Sequence, residues 1–158
     1  MAIDESNGRE DQLGRPKAGG KVAMAWDTAD TTIPARLMKV PFASEGRSAE
    51  GADCYGWVRL VLKEVFAVEA PPYPTSEIVY NAMNAQSCSL AMRQRLDEWR
   101  AIQAGSEQPG DLVLLIRQGR PCHCGVVLGA GQMAHLEAPP TPATASFPCV
   151  ESYREGRW

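Results

Sequence analysis

Gly51-Ala52-Asp53-Cys54-Tyr55-Gly56-Trp57 is the stretch on which the reading of this chain turns. It sets a cysteine where a glycine-closed turn meets an apolar run. In that run Val58, Val61, Leu62 and Val65 follow i, i+3, i+4, i+7 spacing, while Arg59, Lys63 and Glu64 fall off the stripe. The run from Trp57 to Val68 is therefore expected to be an amphipathic helix with one core-facing side. Asp53 is of the residue type that caps a helix N-terminus. A helix start carries partial positive charge and unbonded N–H donors. A thiol placed there ionises more readily, and the thiolate is the nucleophilic form. Gly56 in the first turn costs about 1 kcal/mol relative to alanine, which suits a backbone that another group must approach closely.

Working outward, Pro41-Phe42-Ala43-Ser44-Glu45-Gly46-Arg47-Ser48 reads as a loop that Gly51 closes. Phe42, Arg47 and Gly56 are candidates to line a cleft beside Cys54, although a solvated loop accounts for Arg47 equally well. Thr32 to Met38 fits a short helix with Pro34 in its first turn. Pro71-Pro72-Tyr73-Pro74 is expected to stop the Cys54 helix. Thr75 or Ser76 then caps a short helix through Met83, and a second helix runs from Ser89 to Gln103 with Leu96, Trp99 and Ile102 as its apolar contacts. Residues 1–20 are polar and glycine-rich and are expected to be a flexible N-terminal arm. Residues 21–158 then form a single domain.

The C-terminal half changes period. Asp111-Leu112-Val113-Leu114-Leu115-Ile116-Arg117 is β-rich, Gln118-Gly119-Arg120-Pro121 is a turn signal, and Cys122 to Leu128 is a second strand. Gly129-Ala130-Gly131 turns it into a third, Gln132 to Glu137. Pro139 to Pro148 is a linker to a short tail. Helices followed by an antiparallel meander predict an α+β fold.

The two histidines, His123 and His135, both fall in that meander. With Gly129-Ala130-Gly131 as a three-residue loop, Leu128 pairs with Gln132 and Gly125 lies opposite His135. His123 shares a strand face with position 125, so both imidazoles face the same way and stand on a diagonal. A two-residue turn would put them on opposite faces. In this geometry Cys54 is the candidate nucleophile, His123 its general base, and His135 the group that orients the His123 ring. Backbone N–H groups at the start of the helix, with Asp53 and Tyr55 in support, would form an oxyanion hole.

Other classes fit poorly. The net charge is -3 and no Lys/Arg run forms a basic stripe, so nucleic-acid binding is not expected. No segment reaches the ~18 apolar residues of a membrane span. The N-terminus lacks the pattern of a secretory signal, and five cysteines argue against a disulfide framework. Cys122-His123-Cys124 has zinc-ligand residue types, but alternation turns the two thiols away from His123, so no metal or other cofactor is expected. Cys88 and Cys149 read as packing or surface thiols.

Three motifs in order resemble the NlpC/P60 family of papain-like cysteine peptidases: Gly51 to Gly56, then Pro109-Gly110-Asp111-Leu112-Val113, then His123 to Gly129 followed by Met133-Ala134-His135. The resemblance covers roughly Ile33 to Ala138. It implies N-terminal helices packed on an antiparallel sheet, a triad at Cys54, His123 and His135, and the peptidoglycan stem peptide as substrate, often cut between D-γ-glutamate and a diamino acid. Tyr55 stands where many members carry Ser, and Phe42 where many carry a Tyr whose hydroxyl stabilises the oxyanion. Pro41-Phe42, Gly46-Arg47 and Asp53 to Arg59 are similar to a subgroup carried by tailed phages. That likeness implies a virion tail tip as the location and tail-tip or hub proteins as partners. Two rival expectations remain: a structural tail-tip subunit that has lost activity, and an amidase or acyltransferase on the same fold.

Overall fold

The computed structural model describes residues 12–16, 32–72, 85–94, 96–117, 119–141 and 143–153. The strands are β1 (Gln12–Pro16), β2 (Arg47–Ser48), β3 (Gly51–Ala52), β4 (Trp99–Ala101), β5 (Leu112–Arg117), β6 (Arg120–Gly129), β7 (Gln132–His135) and β8 (Cys149–Ser152). The helices are α1 (Cys54–Phe66) and α2 (Ala85–Arg93), with short 3-10 turns at Leu37–Lys39 and Leu96–Glu98. Six strands form one antiparallel sheet in the order β4-β1-β5-β6-β7-β8, and β2-β3 form a separate two-stranded ribbon. This is the α+β arrangement that the sequence pattern predicts.

The pleat divides the core. Leu112, Leu114, Cys124, Val126 and Ala134 pack with Trp57, Val58, Val61, Leu62 and Phe66 of α1. Val113, Leu115, Val127 and Met133 form a second cluster with Tyr153, and Ile102 packs against it. Burying a large aliphatic or aromatic side chain contributes roughly 1.5–3 kcal/mol, so α1 is held mainly by its apolar stripe. The Trp57 indole N–H also donates to the Leu37 carbonyl at 2.9 Å, tying α1 to the preceding turn.

The hairpin that carries the histidines closes differently from the expectation. Gly129 pairs with Gln132, so the turn has two residues, Ala130 and Gly131, rather than three. Their φ values of 51° and 76° are both left-handed, as a type I′ turn requires. That turn alone would shift the register by one. The pairing breaks between Val127 and Gly129, leaving Leu128 as an extra residue. This bulge restores Gly125 opposite His135, the predicted pairing.

Other expectations are corrected. Gln12–Pro16, expected within a flexible arm, is a strand between β4 and β5. Backbone pairing fills that slot without needing an apolar pattern in the segment. The rest of residues 1–20 lies outside the described residues, as does the expected helix from Thr75 to Met83. The expected helix from Ser89 to Gln103 is instead α2, a 3-10 turn and β4, because Trp99 to Ala101 pair with β1. Helix α1 starts three residues before Trp57 and ends at Phe66, ahead of the prolines. Ala67 takes a left-handed φ of 52°, and the Val68 N–H returns to the Leu62 carbonyl. The expected helix from Thr32 to Met38 is a turn followed by the 3-10 turn at Leu37–Lys39. β8, expected as part of a tail, is the edge strand beyond β7. Among the described residues no helix is long and apolar enough to cross a membrane.

Candidate active site

The site begins with the cap. Asp53 is extended and fully buried, and its Oδ1 accepts the Gly56 N–H at 2.7 Å. Its carbonyl accepts the Trp57 N–H at 2.9 Å. Two of the donors at the start of α1 are thereby bonded, which fixes the direction of the helix. Asp53 is itself held by its N–H donating to the Gly46 carbonyl at 3.1 Å. Cys54, the first residue of α1, is 6% exposed, so it is nearly buried yet still reachable.

The Cys54 thiol is held well below the usual thiol range. The largest cause is a hydrogen bond with the Cys124 thiol. Burial opposes the shift, while a hydrogen bond from His123, the charge of His123 and the Tyr55 N–H reinforce it. Cys54 is thus a thiol whose surroundings favour the thiolate.

The imidazoles meet across the β6–β7 pair. His123 Nε2 lies 2.8 Å from His135 Nδ1, and the rings stand edge to face with centroids 5.0 Å apart. His123 Nε2 being engaged there, its Nδ1 is the ring atom that remains for Cys54. His135 is fully buried, and its pKa is pushed down to about 3, first by burial and then by the charge of His123. It is therefore neutral near pH 7. A hydrogen on His123 Nε2 then donates to His135 Nδ1, and the His135 hydrogen sits on Nε2.

Beyond His135 the contacts continue onto β8. His135 Nε2 is 3.3 Å from Cys149 Sγ and 4.0 Å from Glu151 Oε2. The Cys149 thiol is raised to about 11, by burial first and then by the charges of Glu151 and Glu137, and it stays protonated near neutral pH. Neither Cys149 nor Glu151 was expected at the site. Both lie on the unrecognised β8, which pairs Cys149 with His135. Cys124 was also missed, because strict alternation turns it away from His123. A register break between Leu115 and Ile116 adjoins His123 on β6. The extra residue there is Cys122; His123 and Cys124 themselves stay in regular register, opposite Leu115 and Leu114.

The remaining candidates divide. The Tyr55 N–H faces the Cys54 sulfur, whereas its phenol hydroxyl donates to the Pro71 carbonyl at 2.8 Å and ties down the segment after α1. Phe42 is half-buried and bridged to Ala52, two residues before Cys54, and its N–H donates to the Ser146 carbonyl at 2.8 Å. Arg47 is exposed on β2, opposite Ala52. Gly56 is buried, with its N–H given to the Asp53 cap.

Comparison with characterised proteins gives no match. The sequence model of the NlpC/P60 family matches residues 39–145, a span that holds Cys54, His123 and His135 and more than half of the 158-residue chain.

Proposed function

The chain belongs to the NlpC/P60 family, a family of cell-wall peptidases and hydrolases, and we propose that it is a thiol endopeptidase acting on peptidoglycan stem peptides. The observation that carries this reading is the run of groups from the Cys54 thiol through His123 Nε2 to His135 Nδ1 at 2.8 Å, set at the capped start of α1.

In this reading Cys54 gives its proton to His123 Nδ1, and the thiolate attacks the carbonyl carbon of the scissile amide. The carbonyl oxygen becomes an oxyanion, and the Cys54 N–H at the positive end of α1 is the donor that stabilises it. Collapse of the tetrahedral intermediate breaks the C–N bond as His123 Nδ1–H protonates the leaving amine. A thioester on Cys54 remains. Water, deprotonated by His123, attacks it, and the proton passes back to the sulfur as the acid leaves. Throughout, neutral His135 accepts from His123 Nε2–H and holds the ring in one orientation.

The finer reading is that the bond cut joins D-γ-glutamate to a diamino acid, and that the enzyme is carried on a phage-like tail tip with hub proteins as partners. Its support is the likeness of Pro41-Phe42, Gly46-Arg47 and Asp53 to Arg59 to tail-associated members of the family. Mass spectrometry of stem peptides incubated with the wild-type chain and with Cys54→Ala tests both levels. Loss of cleavage in the variant and a product ending in D-γ-glutamate are expected. Equal rates would sink the enzyme and favour a structural subunit. Absence of the chain from purified virions would contradict the tail assignment.

A further inference from the structure

The side of His135 turned away from His123 has its own chemistry. β7 and β8 place His135 and Cys149 directly opposite each other, and Glu151 stands two residues on, on the same face of β8. His135 Nε2 to Cys149 Sγ is 3.3 Å, Cys149 Sγ to Glu151 Oε1 is 3.9 Å, and His135 Nε2 to Glu151 Oε2 is 4.0 Å. The three ligand atoms lie within 4.8 Å of one another. A tetrahedral ion with bonds of about 2.0–2.3 Å holds its ligand atoms about 3.3–3.6 Å apart. The two Glu151 distances run to different oxygens, so the exposed Glu151 carboxylate must turn and move in by up to roughly 1 Å for one oxygen to close the site. An imidazole, a thiol and a carboxylate are together a zinc-type donor set. Cys149 and Glu151 are exposed, which gives an ion an entry path and an open fourth position. This cluster is distinct from Cys122-His123-Cys124.

We propose that His135, Cys149 and Glu151 form a site for a zinc-class divalent cation, and that filling it switches the thiol off. The switching half rests on the relay proposed above; the binding half does not. Coordination through Nε2 places the His135 ring hydrogen on Nδ1. That hydrogen then points at His123 Nε2 across the 2.8 Å contact. Two N–H groups cannot face each other there, so His123 must accept at Nε2 and keep one hydrogen, on Nδ1. Its Nδ1 then carries a hydrogen and has no lone pair to take the Cys54 proton. On binding, the Cys149 thiol forms a metal–sulfur bond and its proton leaves to solvent. Cys54 keeps its proton on sulfur, and no redox step is involved.

Zinc titration by calorimetry, with cobalt(II) absorption to report thiolate ligation, tests binding without any need for peptidase activity. Wild type and Cys54→Ala are expected to bind one ion with equal affinity. Cys149→Ser and Glu151→Gln should each weaken it by more than ~100-fold, beyond the 10–100-fold that loss of an outer-shell partner costs. Failure of wild type to bind at micromolar zinc, or loss of binding in Cys54→Ala, would overturn the site. The second readout is Cys54 alkylation near neutral pH. Zinc should slow it at least ~10-fold in wild type and leave it unchanged in Cys149→Ser, the factor corresponding to about 1.4 kcal/mol of lost thiolate stabilisation. Binding with no slowing would overturn the switch while leaving the peptidase reading intact.

Discussion

Gly125→Ala isolates the geometry on which the two imidazoles depend. Gly125 stands opposite His135 on the neighbouring strand. A Cβ at this position would lie 3.0 Å from the Ala134 carbonyl oxygen, 3.0 Å from Met133 Sδ and 3.3 Å from His135 Cβ. Relaxed contacts between carbon atoms are nearer 3.5–4.0 Å, so β6 and β7 must separate by a few tenths of an ångström. The Met133 side chain end can move, but the Ala134 oxygen is backbone and His135 is fully buried. Overpacking of this kind costs about 1–3 kcal/mol. At this chain length that lowers Tm by roughly 2–4 °C per kcal/mol. The same displacement stretches the 2.8 Å bond between His123 and His135. Scaled from the ~10²-fold cost of a 1 Å misplacement, a shift of about 0.3–0.5 Å reduces kcat by about 4–10-fold. Thermal denaturation and stem-peptide turnover measure the two effects. Wild-type values for both would refute the claim that glycine is needed there to seat His135.

Further outcomes follow from the cap and from the buried ring. Asp53→Ala removes the 2.7 Å bond to the Gly56 N–H and should cost about 1–2 kcal/mol in denaturant unfolding; a loss within error would show that the cap is redundant. His135 titrates at about 3 in the fold, below the ~6.5 of an ordinary imidazole, so the unfolded chain takes up the proton first. Its contribution to stability is therefore complete above pH ~6.5 and is lost progressively toward pH ~3, up to about 5 kcal/mol over that window. His135→Asn should flatten that part of the stability curve, and an unchanged slope would contradict the assignment.

Much of the site was legible because it sits on strongly patterned segments. The stripe Val58, Val61, Leu62 and Val65 identifies α1, and β-branched and leucine-rich runs identify β5 and β6. The pairing of Gly125 with His135 was also correct, although by compensation: the turn is one residue shorter than expected and the bulge at Leu128 returns the residue. What the sequence concealed depends on the sheet rather than on local pattern. β8 reads Cys149-Val150-Glu151-Ser152 and is largely exposed, so it has no alternation to announce it. Its pairing with β7 nevertheless delivers Cys149 and Glu151 to His135. Leu96, Trp99 and Ile102 mimic helical spacing, yet Trp99 is buried in β4 while Ile102 packs on the second core cluster. Pairing with β1 overrides the local preference there. Cys124 was missed because alternation sets it on the opposite strand face from His123, and only the packing of α1 against the sheet brings its sulfur to Cys54.

The central claim is that Cys54 works as a thiolate paired with His123. Its most direct test is the rate of Cys54 alkylation by iodoacetamide from pH ~4 to ~9. Peptide mass spectrometry separates Cys54 from the other four of the five cysteines. The rate should remain high well below the ~8.5 of an ordinary thiol. A rate that rises only through pH ~8.5, as for a solvent-exposed cysteine, would contradict the pairing and the mechanism built on it.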